Sequence, residues 1–226
     1  MLRSFLFAFI LLGFHVGAQD LSSLTNKDAG RGLKEALIQG ADVAVGKLSA
    51  ENGFLGNEKV KIPLPPALNR AEKLLRQLGM GKQADQLVTT MNRAAESAVA
   101  EAKPILVDSI KKMSLTDAKS ILTGPEDAAT QYFRKTAGAA ISAKFKPKVA
   151  AATRKVKLAE DYDRFAGQAA QFGLIQKEDA NLDDYVTRKA TDGLFLMIAE
   201  QEKAIRSDPL GQTSKLLKTV FGALNK

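Results

Sequence analysis

Apolar residues recur along this chain at intervals of three and four, the spacing of helices that bury one face. Ala29, Leu33, Ala36, Leu37, Ala44, Val45 and Leu48 fall on one side of a helix that Asn26 can cap and that runs to about Ala50. Glu51 to Asn57, with two glycines, reads as a loop. Val60-Lys61-Ile62 reads as a short extended stretch, because Pro63-Leu64-Pro65-Pro66 cannot enter a helix interior. Pro66 suits a first helical turn, and Leu68, Ala71, Leu74, Leu75 and Leu78 form the stripe that follows, ended by Gly79 or Gly81.

The pattern from Lys82 to Met113 is helical, and Pro104 predicts a kink or break within it. Ser114-Leu115-Thr116-Asp117 has the form of a capping box, with aspartate in the acidic role, opening a helix to Thr123. Gly124-Pro125 ends that helix and starts the next, and Pro147 is expected to begin another that reaches about Ala170. Asn181-Leu182-Asp183-Asp184 caps a helix to about Arg206, and Asp208-Pro209 sets off a last segment with Leu216, Leu217, Val220, Phe221 and Leu224 on one face. That last stripe, with Lys215, Lys218 and Lys226 nearby, either closes the bundle or lies on a membrane surface. The fold class read from this pattern is all-α, a multi-helix bundle of about eight helices with an extended, proline-rich segment near 60–66. Short turns favour antiparallel neighbours.

The first residues differ from the rest. Met1-Leu2-Arg3 is positive, Ser4 to Phe14 is an apolar run, and Val16-Gly17-Ala18 supplies small residues before polar Gln19-Asp20. That is the pattern of a secretory signal peptide, and the run is shorter than the roughly 20 apolar residues of a membrane span. We expect cleavage after Ala18, leaving residues 19–226 as one soluble helical domain in the periplasm or outside the cell.

Cleavage would remove His15, the one histidine, from a chain that has no cysteine and no tryptophan. Nucleophile systems built on imidazole or thiol are then unavailable, as are imidazole and thiolate metal sites. Gly79-Met80-Gly81-Lys82 lacks the spacing of a phosphate loop. No cofactor is implied. Carboxylate, lysine and oxygen-ligated metal chemistry stay open.

Charge is uneven. The chain carries a net +8, and the stretch from Ala128 to Ala159 has no acidic residue but eight basic ones. Lys144, Lys148, Arg154, Lys155 and Lys157 are the candidates for contact with an anionic membrane, a lipid or an acidic protein, set against a plain solvated surface. In a helix starting at Pro147, Lys148 and Lys155 would share a face, with Arg154 and Lys157 turned away. Aromatic residues do not interleave with these cations in the way a single-strand binder uses, which argues against nucleic acid. Among other polar residues, Asn92, Arg93 and Glu96 lie within about one helical turn. They form either a ligand-gripping cluster or a buried network that fixes helix packing. Glu126 and Asp127, like Asp183 and Asp184, suit helix starts; Glu200 and Glu202 face different ways and are poor paired ligands. Tyr132, Phe133 and Phe195 read as core.

Several segments in fixed order resemble a known family: Ile62-Pro63-Leu64-Pro65, Met91-Asn92-Arg93-Ala94-Ala95-Glu96, Asp117-Ala118 before Ile121-Leu122-Thr123-Gly124, and Ala129-Thr130-Gln131-Tyr132-Phe133. Tyr185-Val186-Thr187, Asp192-Gly193-Leu194-Phe195 and Ile205-Arg206-Ser207-Asp208-Pro209 continue the series. The chain resembles DUF4197 from about Leu21 to Phe221. The resemblance implies an exported helical domain and carries no activity with it. Three functional readings remain: a non-catalytic binding or interaction module, a carrier of a small apolar ligand or lipid, and an enzyme using carboxylates or a hard metal. A packed core with a basic surface favours the first, a large apolar cavity the second, and convergent buried carboxylates the third.

Overall fold

We describe residues 26–171, 175–176 and 179–207 of a computed structural model of the chain. The Met1–Ala18 segment expected to be a signal peptide, which includes His15, and the Leu216–Leu224 stripe lie outside the described residues. Eight helices and no strand are found among the described residues: α1 (Asn26–Ser49), α2 (Pro66–Gln77), α3 (Gly81–Val99), α4 (Ala102–Lys112), α5 (Leu115–Thr123), α6 (Ala128–Thr153), α7 (Lys157–Gln171) and α8 (Leu182–Ser207). The all-α architecture expected from the periodicity is the one observed.

At the centre is α6, which packs on α8, α3, α4 and α5. Its buried residues include Ala129, Phe133, Ala137, Ile141, Phe145, Val149 and Thr153, a strict series of fours. On a helix of 3.6 residues per turn each step of four advances by about 40°. The buried stripe therefore winds around α6, as the helix needs with neighbours on several sides. On the other side of the bundle, α1 packs against α8, α4, α3 and α5 through Leu33, Ala36, Leu37, Ala44, Val45 and Leu48, all buried. Phe133 and Phe195 are core, while Tyr132 is half-buried and donates its hydroxyl to the Ser109 carbonyl.

Local signals mostly act where expected. Ser114 and Asp117 form both arms of the capping box. Gly79 adopts φ 78°, a left-handed conformation that lets the chain turn from α2 into α3. Pro104 lies in the first turn of α4, just after the break between α3 and α4. Asn181 accepts a hydrogen bond from the Asp184 N–H and caps α8.

Two expectations are corrected. Pro147 does not begin a helix; it lies inside α6. It removes one backbone bond and costs about 3 kcal/mol, but Phe145 and Val149 on either side are fully buried. Each of those contributes about 1.5–3 kcal/mol of burial. Burial wins, and the Ala143 carbonyl that loses its donor is on the exposed side. The break falls later, at Arg154–Val156, where the Thr153 hydroxyl turns to Asp183 and Val156 tucks into the core. Lys148, Arg154, Lys155 and Lys157 are consequently not on one helix. In α2, Leu74 and Leu78 are exposed rather than buried, because that helix leans on α3 at the edge of the bundle.

Candidate functional site

Asn92, Arg93 and Glu96 come together on α3, and all three reach the loop that follows α1. Asn92 accepts the Ile62 N–H at 2.8 Å and donates to the Ile62 carbonyl at 2.9 Å and to Val88 at 2.8 Å. One oxygen of Glu96 accepts the N–H groups of Phe54 and Leu55, both at 3.1 Å. The other takes the Arg93 guanidinium at 2.7 Å, and Arg93 also holds Asn52 at 3.1 Å and Glu51 at 3.3 Å. The two buried side chains thus replace the partners that an irregular backbone inside a protein otherwise lacks. Every polar group of Asn92 is engaged in this way, while the Arg93 side chain stays partly exposed at the surface.

A second glutamate does similar work. Glu202 on α8 is buried, and its oxygens accept the Ala129 and Thr130 N–H groups, each at 2.9 Å, and the Thr130 hydroxyl at 2.9 Å. The N-terminus of α6 has no side-chain cap from its own sequence neighbour Asp127. Glu202 supplies it, placing a negative charge at the positive end of the helix, and Arg206 closes the pair at 3.0 Å. Sequence reasoning missed this role, since Glu202 and Ala129 are 73 positions apart.

Three of the eight cations of the basic stretch are paired with acids from neighbouring elements. Arg134 pairs with Asp192 at 3.1 Å, Lys146 with Asp184 at 2.6 Å and Lys148 with Glu101 at 2.9 Å. Lys148 and the nearby Lys144 hold the Glu101 carboxyl below its ordinary range. Arg154, Lys155 and Lys157 stand exposed at the corner between α6 and α7, and none makes an ion pair among the described residues.

A groove opens at the edge of the bundle where the proline-rich segment, the start of α2, residues 175–176 and 179 and the first turns of α8 meet. Its main chamber has a volume of about 540 Å³, lined by Pro63, Leu64, Pro66, Asn69, Arg70, Gln176, Asp179, Tyr185, Arg188 and Lys189. A second chamber of about 370 Å³ shares Pro66, Arg70, Gln176 and Asp179 with it and adds Ala67, Tyr162 and Ile175. The walls are held from behind. Tyr185 donates its hydroxyl to the Pro63 carbonyl at 3.2 Å, Tyr162 donates to the Asp179 carbonyl, and the Asp179 side chain is paired with Arg188. Burial, reinforced by the Asp179 charge, pushes both tyrosines up to about 12. They are therefore fixed donors, poorly matched to proton transfer near neutral pH.

Two cations in the groove have no anion. Among the described residues neither Arg70 nor Lys189 makes an ion pair, whereas Arg188 is neutralised by Asp179. Arg188 and Lys189 flank the Tyr185 ring, at 5.6 and 5.8 Å from its centroid. The sequence marks the Pro63–Pro66 run as extended and as part of the family resemblance, but holds no signal that this run meets Arg70, Asp179 and Lys189. Among the described residues no three histidine, cysteine, aspartate or glutamate side chains are grouped as metal ligands.

The family described as "Protein of unknown function (DUF4197)" matches residues 23–222, nearly the whole chain. The chain belongs to this family. Neither the curated proteins nor the solved structures yield a match. In this DUF4197 chain, residues that carried the resemblance turn up in structural roles: Asn92, Arg93 and Glu96 hold a loop, Thr130 and Arg206 meet at Glu202, and Gly193 makes room for Phe54. Pro63, Leu64 and Tyr185, which also carried the resemblance, border the groove.

Proposed function

We propose that this is an exported, non-catalytic binding protein whose helical scaffold presents the groove beside Tyr185 to a small ligand. The observation that carries this reading is a concave site with a rigid apolar wall and two cations that make no ion pair among the described residues. Its volume is in the range of small-molecule sites, and its tyrosines are set to hold backbone rather than to move protons. The support for export is the Met1–Ala18 pattern. The groove lies at the bundle edge rather than between core helices, so a carrier of the enclosed, lipid-swallowing kind has less behind it.

The test is an amide NMR titration of the protein, purified as it accumulates in cells, with a panel of charged and neutral small molecules. Shifts that cluster on Leu64, Asn69, Tyr185 and Arg188 are expected for at least one of them. A panel that leaves those amides unmoved refutes the reading.

A second reading rests on the corner between α6 and α7. Arg154, Lys155 and Lys157 place three exposed cations within four residues, a patch suited to anionic membrane headgroups. Co-sedimentation with phosphatidylglycerol vesicles in low salt should fall when all three are changed to glutamate. Equal sedimentation of wild type and variant removes this reading.

A further inference from the structure

The groove has a charge and shape that narrow its ligand. We propose that it takes a soluble organic anion, an oxyanion such as a phosphate monoester or carboxylate on a compact apolar body. The inference deepens the binding reading above and rests on it.

Consider first what each wall can recognise. Asp179 is the one acidic side chain lining the groove among the described residues, and Arg188 already engages it. Arg70 and Lys189 then remain as two uncompensated positive charges. A cation would be repelled here, and a neutral ligand would leave both charges unanswered. An oxyanion answers them, with the guanidinium of Arg70 suited to a planar or tetrahedral oxygen pair and Lys189 acting as a point charge. Arg70 is exposed and Lys189 half-buried, so the anion would sit at the mouth of the groove.

Now consider the other side. Pro63 and Pro66, both exposed and backed by the buried Leu64 and Tyr185, form an apolar wall that inorganic phosphate would not use. Proline fixes the backbone of that wall, Tyr185 pins the Pro63 carbonyl, and Asn92 pins both polar groups of Ile62 next to it. The site is built before a ligand arrives, so binding does not have to order it. The wall is short, which favours a compact aromatic or branched body over a two-chain lipid. Together the two sides call for a molecule that is anionic at one end and apolar at the other.

Phenyl phosphate is the probe, with phenol and inorganic phosphate as its two halves, followed by amide NMR on the protein as it accumulates in cells. Phenyl phosphate should move Leu64, Asn69, Tyr185 and Arg188 saturably, with affinity about tenfold or more above either half. The R70Q/K189Q variant, which removes the charges and leaves the Arg188–Asp179 pair in place, should lose about tenfold or more in affinity. Both residues lie off the core, and an unchanged melting temperature checks that the variant is folded. If phenol binds the same amides as tightly, the groove stands as a site but the anion class is wrong. Inorganic phosphate matching phenyl phosphate would remove the apolar body, and displacement of phenyl phosphate by phosphatidylglycerol vesicles would overturn the soluble source. Should no compound move these amides, this inference and the binding reading fall together.

Discussion

Glu96 offers the sharpest test of how this fold is held. Replacing it with alanine strips the acceptor from two N–H groups, Phe54 in the core and Leu55 at its edge, and releases Arg93. A donor left without a partner in the interior costs about 1–3 kcal/mol, so the two together cost about 2–6 kcal/mol. The Arg93 pair adds little, because its side chain is 37% exposed against 6% for Glu96 and solvent screens the contact. About 2–6 kcal/mol is a large share of the 5–15 kcal/mol that holds a typical domain. Glu96→Gln keeps an oxygen where both N–H groups point and turns an NH₂ toward Arg93, so about 1–2 kcal/mol is expected.

Urea unfolding measures both variants, and hydrogen exchange localises the effect. In Glu96→Ala the Phe54 and Leu55 amides should exchange far faster than in wild type. The Ile62 amide, held separately by Asn92, should keep more of its protection. The reasoning fails if Glu96→Ala lies within about 1 kcal/mol of wild type, or if glutamine costs as much as alanine. It fails equally if the three amides lose protection together, because the loop would then open as one unit irrespective of which glutamate or asparagine holds it.

Further outcomes follow from the same contacts. Gly193→Ala would put a methyl group 2.8 Å from the fully buried ring of Phe54 and 3.3 Å from Val60. Overpacking of about 1–3 kcal/mol should outweigh the helix-propensity gain of about 1 kcal/mol, lowering the urea midpoint at constant slope; a more stable variant would refute this. Burial, helped by the Asp183 and Asp184 charges, raises the Asp163 carboxyl above its ordinary value of 3.8, against the Leu182 N–H that lowers it. Its folded pKa is therefore above the unfolded one, so ionised Asp163 detracts from stability at neutral pH, and that loss is regained as pH falls through the folded pKa. Asp163→Asn should be at least as stable as wild type at pH 7, with the advantage shrinking in acid; thermal melts across pH 3–7 check the trend. N-terminal sequencing of the protein from its own cells should begin at Gln19, and a start at Met1 would count against export.

The helices were legible because helix signals are local. A period of 3.6, a serine and an aspartate three positions apart, a glycine at a positive φ and a proline in a first turn all act within one or two turns of backbone. Composition was equally decisive, since no arrangement in space can supply a cysteine or a second histidine. Other features required the fold. Whether Pro147 starts a helix or rides inside one depends on how deeply Phe145 and Val149 are buried, which no window of sequence contains. The basic stretch reads as a strong positive patch along the chain, yet Glu101, Asp184 and Asp192 arrive from α8 and the break before α4 to answer three of its charges. In the sequence Glu202 reads only as a poor partner for Glu200, and it is α8 that carries it to the start of α6, 73 positions away. The groove joins Pro63 to Tyr185 across 122 positions, so Arg70 and Lys189, which make no ion pair among the described residues, border one groove only once the chain has packed. Local sequence thus determined which segments are helical and which chemistries are available, and tertiary packing decided which charges are spent on the fold and which stay unpaired among the described residues.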